Sequence, residues 1–130
     1  MEEQRIINYF QRPWGFYFKF FEEKGVWVKR VEVNPGSRLS LQRHKCRSEK
    51  WNVISGIGLV TLDDKEIKVQ AGTVVDVPVG AVHRIANTGR DKLVFIEVAC
   101  GDILLEDDID RIQDDYARSS GNGIEEGKVE

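Results

Sequence analysis

Residues 36–56 read GSRLSLQRHKCRSEKWNVISG, and residues 72–87 read GTVVDVPVGAVHRIAN. Both histidines of the chain, His44 and His83, fall in these two stretches. In the first, five residues separate Gly36 from Gln42 and one separates Gln42 from His44; four then lead to Glu49 and six more to Gly56. The second has the form G-x5-P-x-G-x2-H-x3-N, carried by Gly72, Pro78, Gly80, His83 and Asn87.

Working outward, apolar and polar residues alternate through residues 15–21, 26–33, 39–42, 51–54, 59–62, 66–69, 74–77 and 93–98. This period of two, rich in Val, Ile and aromatics, is what the pleat of a half-buried strand requires. Gly, Pro, Asp and Asn punctuate the runs at NPG, SGIG, LDDKE, PVG and NTGRD, so the strands are short and joined by tight turns. An all-β antiparallel sandwich or barrel follows. Only residues 106–118, EDDIDRIQDDYAR, read as a short C-terminal helix: Ile109, Ile112 and Tyr116 share one face, and the early acids suit a positive N-terminus. Residues 119–130 are small, polar and poor in core formers, and read as a flexible tail.

At 130 residues and 41% hydrophobic, the chain suits one domain, over residues 1–118, with a core of its own. Its 19 basic and 22 acidic residues are mixed along the chain, which leaves no phosphate-backbone footprint and excludes nucleic acid as the expected partner. No apolar run has the length of a membrane span, so no membrane partner is expected, and the acidic start does not resemble a signal peptide; a cytoplasmic protein is the expectation. Cys46 and Cys100 are expected to be reduced thiols.

The first stretch resembles the first motif of the cupin superfamily of small β-barrels, G-x5-H-x-H-x4-E-x6-G, with Gln42 in place of the first His. The second matches the second cupin motif without departure. The implied fold is the double-stranded β-helix, or jelly-roll barrel. Residues two apart on a strand share a face, so Gln42 and His44 can both enter a barrel interior. With Glu49 and His83 they supply two imidazoles, a carboxylate and an amide oxygen, a mixed set suited to a divalent metal ion. Zinc is the first expectation, with manganese, cobalt, iron and nickel as alternatives. Cys46 shares the strand parity of 42 and 44, but the motif spacing favours Gln42 over it.

Further words narrow the resemblance. RPWG at 12–15, VKRVEVNPGSRLSLQ at 28–42, RSEKW at 47–51, VPVGAVHRIAN at 77–87 and GDILLEDDIDRIQDDYAR at 101–118 resemble the type II mannose-6-phosphate isomerase family. That family often forms the C-terminal part of bifunctional enzymes with a mannose-1-phosphate guanylyltransferase domain. The resemblance implies a metal-assisted proton transfer between C1 and C2 that interconverts mannose 6-phosphate and fructose 6-phosphate. A sugar phosphate is then the partner, and its phosphate needs basic side chains: Lys29, Arg47, Arg84 and Arg111 lie in or beside family-like words. Arg47, two residues before Glu49, leads them. For the general base, a metal-bound water, Asp76 and Lys45 are the candidates.

The family's first motif runs close to Q-x-H-H-H-R-x-E-H-W, whereas this chain has Lys45, Cys46 and Lys50 at three of its histidine positions. Those departures suggest a second reading, a metal-containing sugar-binding cupin without turnover. A cupin dioxygenase is disfavoured by Gln42 and by the wider resemblance. The run IINYF at 6–10 reads as an N-terminal arm able to add a strand to a neighbour's edge, and a homodimer is expected.

Overall fold

The computed structural model describes residues 8–118. They form eleven strands and no helix: β1 (Asn8–Arg12), β2 (Gly15–Glu23), β3 (Val26–Val33), β4 (Leu41–Arg43), β5 (Ser48–Ser55), β6 (Ile57–Leu62), β7 (Lys65–Gln70), β8 (Val74–Val77), β9 (His83–Asn87), β10 (Leu93–Cys100) and β11 (Asp110–Gln113). One sheet has the order β1-β2-β3-β10-β5-β8 and the other β11-β4-β9-β6-β7, with antiparallel pairing throughout. Every stretch of alternation in the sequence overlaps a strand. Among the described residues no helix is long and apolar enough to cross a membrane.

The alternation becomes layers of inward side chains. Along β10 the inward residues are Leu93, Phe95, Glu97 and Ala99, flanked in register by Val33, Val31, Lys29 and Trp27 of β3. On its other side Phe95, Glu97 and Ala99 face Val53, Trp51 and Glu49 of β5. The opposite sheet contributes Val60 beside Ile85, and His83 between Leu62 and Gln42. Leu93, Phe95, Val53, Val60 and Ile85 make one end of the interior dry, and their burial supplies the driving force for sheet packing. Two to four residues further along their strands, inward positions carry Lys29, Glu97, Glu49 and His83, and β4 adds the buried Gln42. The interior therefore runs from an apolar end to a polar one.

Two turns fix the two ends of β9, the PVG turn at the polar end and the Asn87 turn at the apolar end. The N–H of Gly80, in the PVG turn before β9, donates to the carbonyl of His44 at 2.9 Å. Asn87 donates to the carbonyls of Val33 and Asp91 at 2.9 and 2.8 Å, while its Oδ1 accepts from Gly89 N–H at 2.9 Å. The second motif's Pro-x-Gly and Asn are thus structural punctuation around His83.

One expectation is corrected. The short C-terminal helix expected at 106–118 is not formed: β11 pairs Asp110 with Arg43 and Arg111 with Gln42. Lone Ile109 and Ile112 contacts could stabilise a helix only weakly in so acidic a segment. Pairing satisfies the open edge of β4 instead, and tertiary hydrogen bonding overrides local propensity. Asn8, Tyr9 and Phe10 of the IINYF run belong to β1, which pairs with β2 of its own sheet. Ile6, Ile7 and the tail at 119–130 lie outside the described residues.

Gly56 closes the first motif at a φ of 95°, and a Cβ there would stand 2.5 Å from the carbonyl oxygen of Lys92. Gly56→Ala combines left-handed strain with a backbone clash, so it should cost about 2 kcal/mol or more. Equilibrium urea unfolding measures it, and a midpoint equal to wild type would contradict the assignment.

Candidate functional site

His44, Glu49 and His83 reach one point from three places: the residue after β4, the second residue of β5 and the first of β9. Their candidate ligand atoms all lie within 4.8 Å of one another, and all three residues are buried. Each imidazole is oriented by a backbone carbonyl. His44 Nδ1 lies 2.7 Å from the carbonyl oxygen of Asp108, and His83 Nδ1 lies 2.9 Å from that of Ala81. A proton on Nδ1 satisfies each carbonyl and leaves Nε2 with a free electron pair, the usual arrangement of a metal-binding imidazole. His83 Nε2 is buried with no hydrogen-bond partner among the described residues. A buried polar atom left unpaired in a closed site is costly unless something binds it. Gln42 is buried beside His83 in cross-strand register and lines the same cleft.

Glu49 is held on both oxygens. Arg47 Nε donates to Oε2 at 2.9 Å and Trp51 Nε1 donates to Oε1 at 2.9 Å. Burial alone would raise its pKa, but the positive charge of Arg47, the neighbouring imidazoles and the Trp51 hydrogen bond outweigh it and keep the carboxyl well below the usual range. His44 is pushed down to about 4, chiefly by burial, which Glu49 only partly offsets. The cluster thus presents neutral His44 and an ionised carboxylate, the protonation states a divalent cation demands.

Arg47 is itself buried: it donates to the carbonyl of Leu105 at 3.0 Å, and its Nη2 lies 3.3 Å from His44 Nε2. Its guanidinium lies 5.0 Å from the ring centre of Trp27, and Lys19 and Lys29 each stand 4.3 Å from it. Both ammonium groups bind Glu106, Lys29 at Oε1 and Lys19 at Oε2, each at 3.1 Å. Tyr17 donates its hydroxyl to Glu106 Oε1 at 3.2 Å. Although burial raises the Glu106 pKa, Lys29, Lys19 and Arg47 bring it to about 2.

Glu97 stands in the same inward row, between Lys29 and Trp51, and Trp27 Nε1 donates to its Oε2 at 3.1 Å. Here burial wins. Together with the nearby charge of Glu49, it raises Glu97 to about 7 against the pull of Lys29 and Arg47.

These groups line a cleft of about 620 Å³, its mouth included, that opens at the polar end of the barrel. In its lining the cations Arg12, Lys29, Arg47, Arg111 and Arg118 outnumber the carboxylates Glu49, Glu97 and Glu106. A small anionic polar ligand suits that charge.

Of the basic residues nominated from sequence, Lys29, Arg47 and Arg111 line the cleft. Arg84 does not: it donates to the Leu39 carbonyl and to Gln113 Oε1, each at 2.9 Å, and secures the β4–β11 edge. Asp76 and Lys45, considered as bases, are exposed, and Asp76 pairs with Lys50 outside the barrel. Cys46 is exposed too. Residues 45 and 46 form a bend rather than strand, which turns Cys46 outward and brings Arg47 in. The three positions where the family's histidines are replaced, Lys45, Cys46 and Lys50, all face solvent. Sequence reasoning missed Lys19, Glu97 and Glu106. For Lys19 and Glu97 a signal existed, since each is a charge at an inward position of an otherwise apolar alternation.

Residues 1–114 match the family described as mannose-6-phosphate isomerase C-terminal. The alginate biosynthesis protein AlgA of Pseudomonas aeruginosa is 44% identical over 109 residues, covering 84% of this chain and 23% of that protein. A mannose-1-phosphate guanylyltransferase of Escherichia coli is 38% identical over 116 residues, covering 89% of this chain and 24% of its own length. The chain therefore spans about a quarter of the length of these curated relatives. Among solved structures, an oxalate decarboxylase of Bacillus subtilis described for its Mn(II) centres superposes with a TM-score of 0.71 at 24% identity, over 82% of this chain and 30% of that one. The cupin domain of Schizosaccharomyces pombe Cnp3 gives 0.64 at 20% identity, over 74% and 69%. The fold is a cupin fold.

The buried titrations carry opposite signs in metal-free protein. His44 titrates at about 4 folded against its ordinary 6.5, so the unfolded chain holds the extra proton and stability falls as pH drops through that window. Glu97 titrates at about 7 against its ordinary 4.5, so the folded chain holds the extra proton and stability falls as pH rises toward 7 and just beyond. Melting temperatures in chelator should change little from pH 5 to 6.5 and decline from about 6.5 to 8. Glu97→Gln should abolish that decline and leave a rise up to about 6.5; an unchanged wild-type profile in the variant would contradict it.

Proposed function

The chain belongs to the mannose-6-phosphate isomerase C-terminal family, and we propose that it is a metal-dependent sugar-phosphate isomerase interconverting mannose 6-phosphate and fructose 6-phosphate. The observation that carries this reading is the orphaned Nε2 of His83, set beside His44 and Glu49 at the wall of a cleft with excess positive charge. His44, Glu49 and His83 would hold the ion, with the amide oxygen of Gln42 as fourth donor. Zinc or manganese suits that set, manganese having support from the Mn(II) centres of the Bacillus subtilis fold relative. A bound divalent ion supplies charge stabilisation where negative charge develops on the sugar's O1 and O2.

The chain's own residues do the rest. Arg47, buried and desolvated, adds a fixed positive charge next to the cluster and a donor array for the sugar or its phosphate. Lys29 and Arg111, on opposite sheets, supply further cationic partners across the cleft. The half-enclosed walls limit water around the reacting carbons. Because Lys45, Cys46 and Lys50 point to solvent, the missing histidines leave this wall intact, and nothing in their placement favours binding without turnover.

We also propose a cytoplasmic homodimer. Its support is the edge position of β1 and the aromatic strip of Tyr9, Phe16 and Phe18 on the outer face of β1 and β2, where ring centres stand 5.1 to 6.3 Å apart. Light scattering at micromolar concentration should return twice the 14.9 kDa chain mass; the single-chain mass would remove the dimer.

A coupled assay of mannose 6-phosphate conversion, on protein reloaded in turn with zinc, manganese, cobalt and iron, tests the main reading. Turnover is expected with at least one ion. His44→Ala and His83→Ala should each lower metal affinity by at least tenfold and remove turnover. Arg47→Ala should keep the metal and reduce kcat/KM by about a hundredfold or more, a loss of about 2.7 kcal/mol in transition-state stabilisation. Metal-loaded protein inert toward the sugar phosphate would sink the isomerase reading.

A further inference from the structure

We propose that Glu97 is the catalytic base of the isomerisation, the group that carries the proton between C2 and C1. The inference rests on the isomerase reading above and adds to it the residue that performs the transfer. Glu97 sits at an inward position of β10, in the strand register that otherwise supplies Leu93, Phe95 and Ala99 to the interior. A carboxylate there has no packing purpose, and burying one is costly without a partner or a task. Its partners are few. Trp27 Nε1 binds Oε2, and among the described residues no hydrogen bond reaches Oε1.

The other carboxylates of the cleft are committed. Glu49 is bound on both oxygens by Arg47 and Trp51, and Glu106 is bound on both by Lys29 and Lys19. Of the three, all of which line the cleft, Glu97 alone has an oxygen with neither a hydrogen bond nor an ion pair among the described residues. It lies one row from Glu49 on the same face of the sheet, because Trp51 faces Glu97 and Ala99 faces Glu49. Glu97 and the metal cluster therefore line the same cleft, so a sugar bound there would have both beside it. Burial raises its pKa in the metal-free chain, the direction that favours holding a proton.

The step balances without a co-reactant. The Glu97 carboxylate removes the proton on C2 of the open-chain aldose, and the C–H electron pair becomes the C1–C2 double bond while the carbonyl pair moves to O1. The proton on O2 passes to O1, O2 forms the new carbonyl, and C1 takes the proton back from the Glu97 carboxylic acid. The product is the ketose, and the carboxylate is restored.

The test compares wild type, Glu97→Gln and Glu97→Asp, each reloaded with the ion that supports turnover. Glu97→Gln should lower kcat by about a hundredfold or more, with KM and metal content within about threefold of wild type. A sugar-phosphate alcohol lacking the carbonyl, mannitol 1-phosphate, should bind it as tightly as it binds wild type. Mannose 6-phosphate deuterated at C2 separates a proton carrier from a positioning residue. Wild type should move the label to C1 and partly to water, and Glu97→Gln should lose both together. Glu97→Asp keeps a carboxylate in a fold-neutral change and should retain exchange at a tenfold to hundredfold lower rate. A Glu97→Gln or Glu97→Asp enzyme turning over within threefold of wild type would overturn the role of Glu97 and leave the isomerase reading standing. Wild-type protein that neither turns over nor exchanges label would overturn both.

Discussion

The buried ion pair between Arg47 and Glu49 is the contact on which the polar end of the barrel depends. In the metal-free chain, a carboxylate enclosed among Trp51, Val77 and Ala99 stays ionised because a positive charge is enclosed with it. Arg47 is that charge, and it is held in turn by the Leu105 carbonyl and the face of Trp27. The arrangement fixes Glu49 Oε2 within 3.3 Å of His44 Nε2. From there the cleft is a sequence of compensations: Lys29 and Lys19 answer Glu106, Trp27 answers Glu97, and backbone carbonyls answer the two imidazoles.

The energetic support for this end comes from the other one. Charged groups in a protein interior are tolerated when a packed scaffold holds them in place, and that scaffold is the layer of Leu93, Phe95, Val53, Val60 and Ile85. Because strands run from one layer to the next with a period of two, each catalytic candidate is a short step along a strand from a core residue. His83 is two residues from Ile85, Glu97 two from Phe95 and Lys29 two from Val31. Strands position Glu49, His83, Glu97 and Lys29, with His44, Arg47 and Glu106 as the members that loops deliver.

The segment after β10 shows how that delivery works. Residues 101–109 lie over the cleft, contributing Glu106 to the lysine pair, the Leu105 carbonyl to Arg47 and the Asp108 carbonyl to His44. Asp108 also accepts the N–H groups of Lys45 and Cys46 at 2.9 and 2.8 Å, which pins the bend that turns Arg47 inward. One loop thus orients a histidine, an arginine and two lysines at once. Chemistry and packing of the site are coupled through it, and β11 anchors its far end to β4.

Much of this was legible in the residues alone. The period-two alternation specified strands, because only a pleated strand sends residues two apart to one face, and the spacing from Gly36 to Gly56 and from Gly72 to Asn87 marked Gln42, His44, Glu49 and His83. The identity of the inward charges was legible in part: Lys29 and Glu97 interrupt apolar alternations, a pattern visible in one dimension. Tertiary structure alone decided the rest. It sent residues 110–113 into a strand rather than a helix, since an open sheet edge offers backbone hydrogen bonds that no local propensity can anticipate. It spent Arg84 on Gln113 and Leu39, and turned Lys45, Cys46 and Lys50 to solvent. It also placed Glu106 on Lys19 and Lys29, from 77 to 87 positions away along the chain. Spacing within a strand is set by local geometry, which sequence encodes directly; which groups meet across the cleft is set by how the sheets close, which only the folded chain determines.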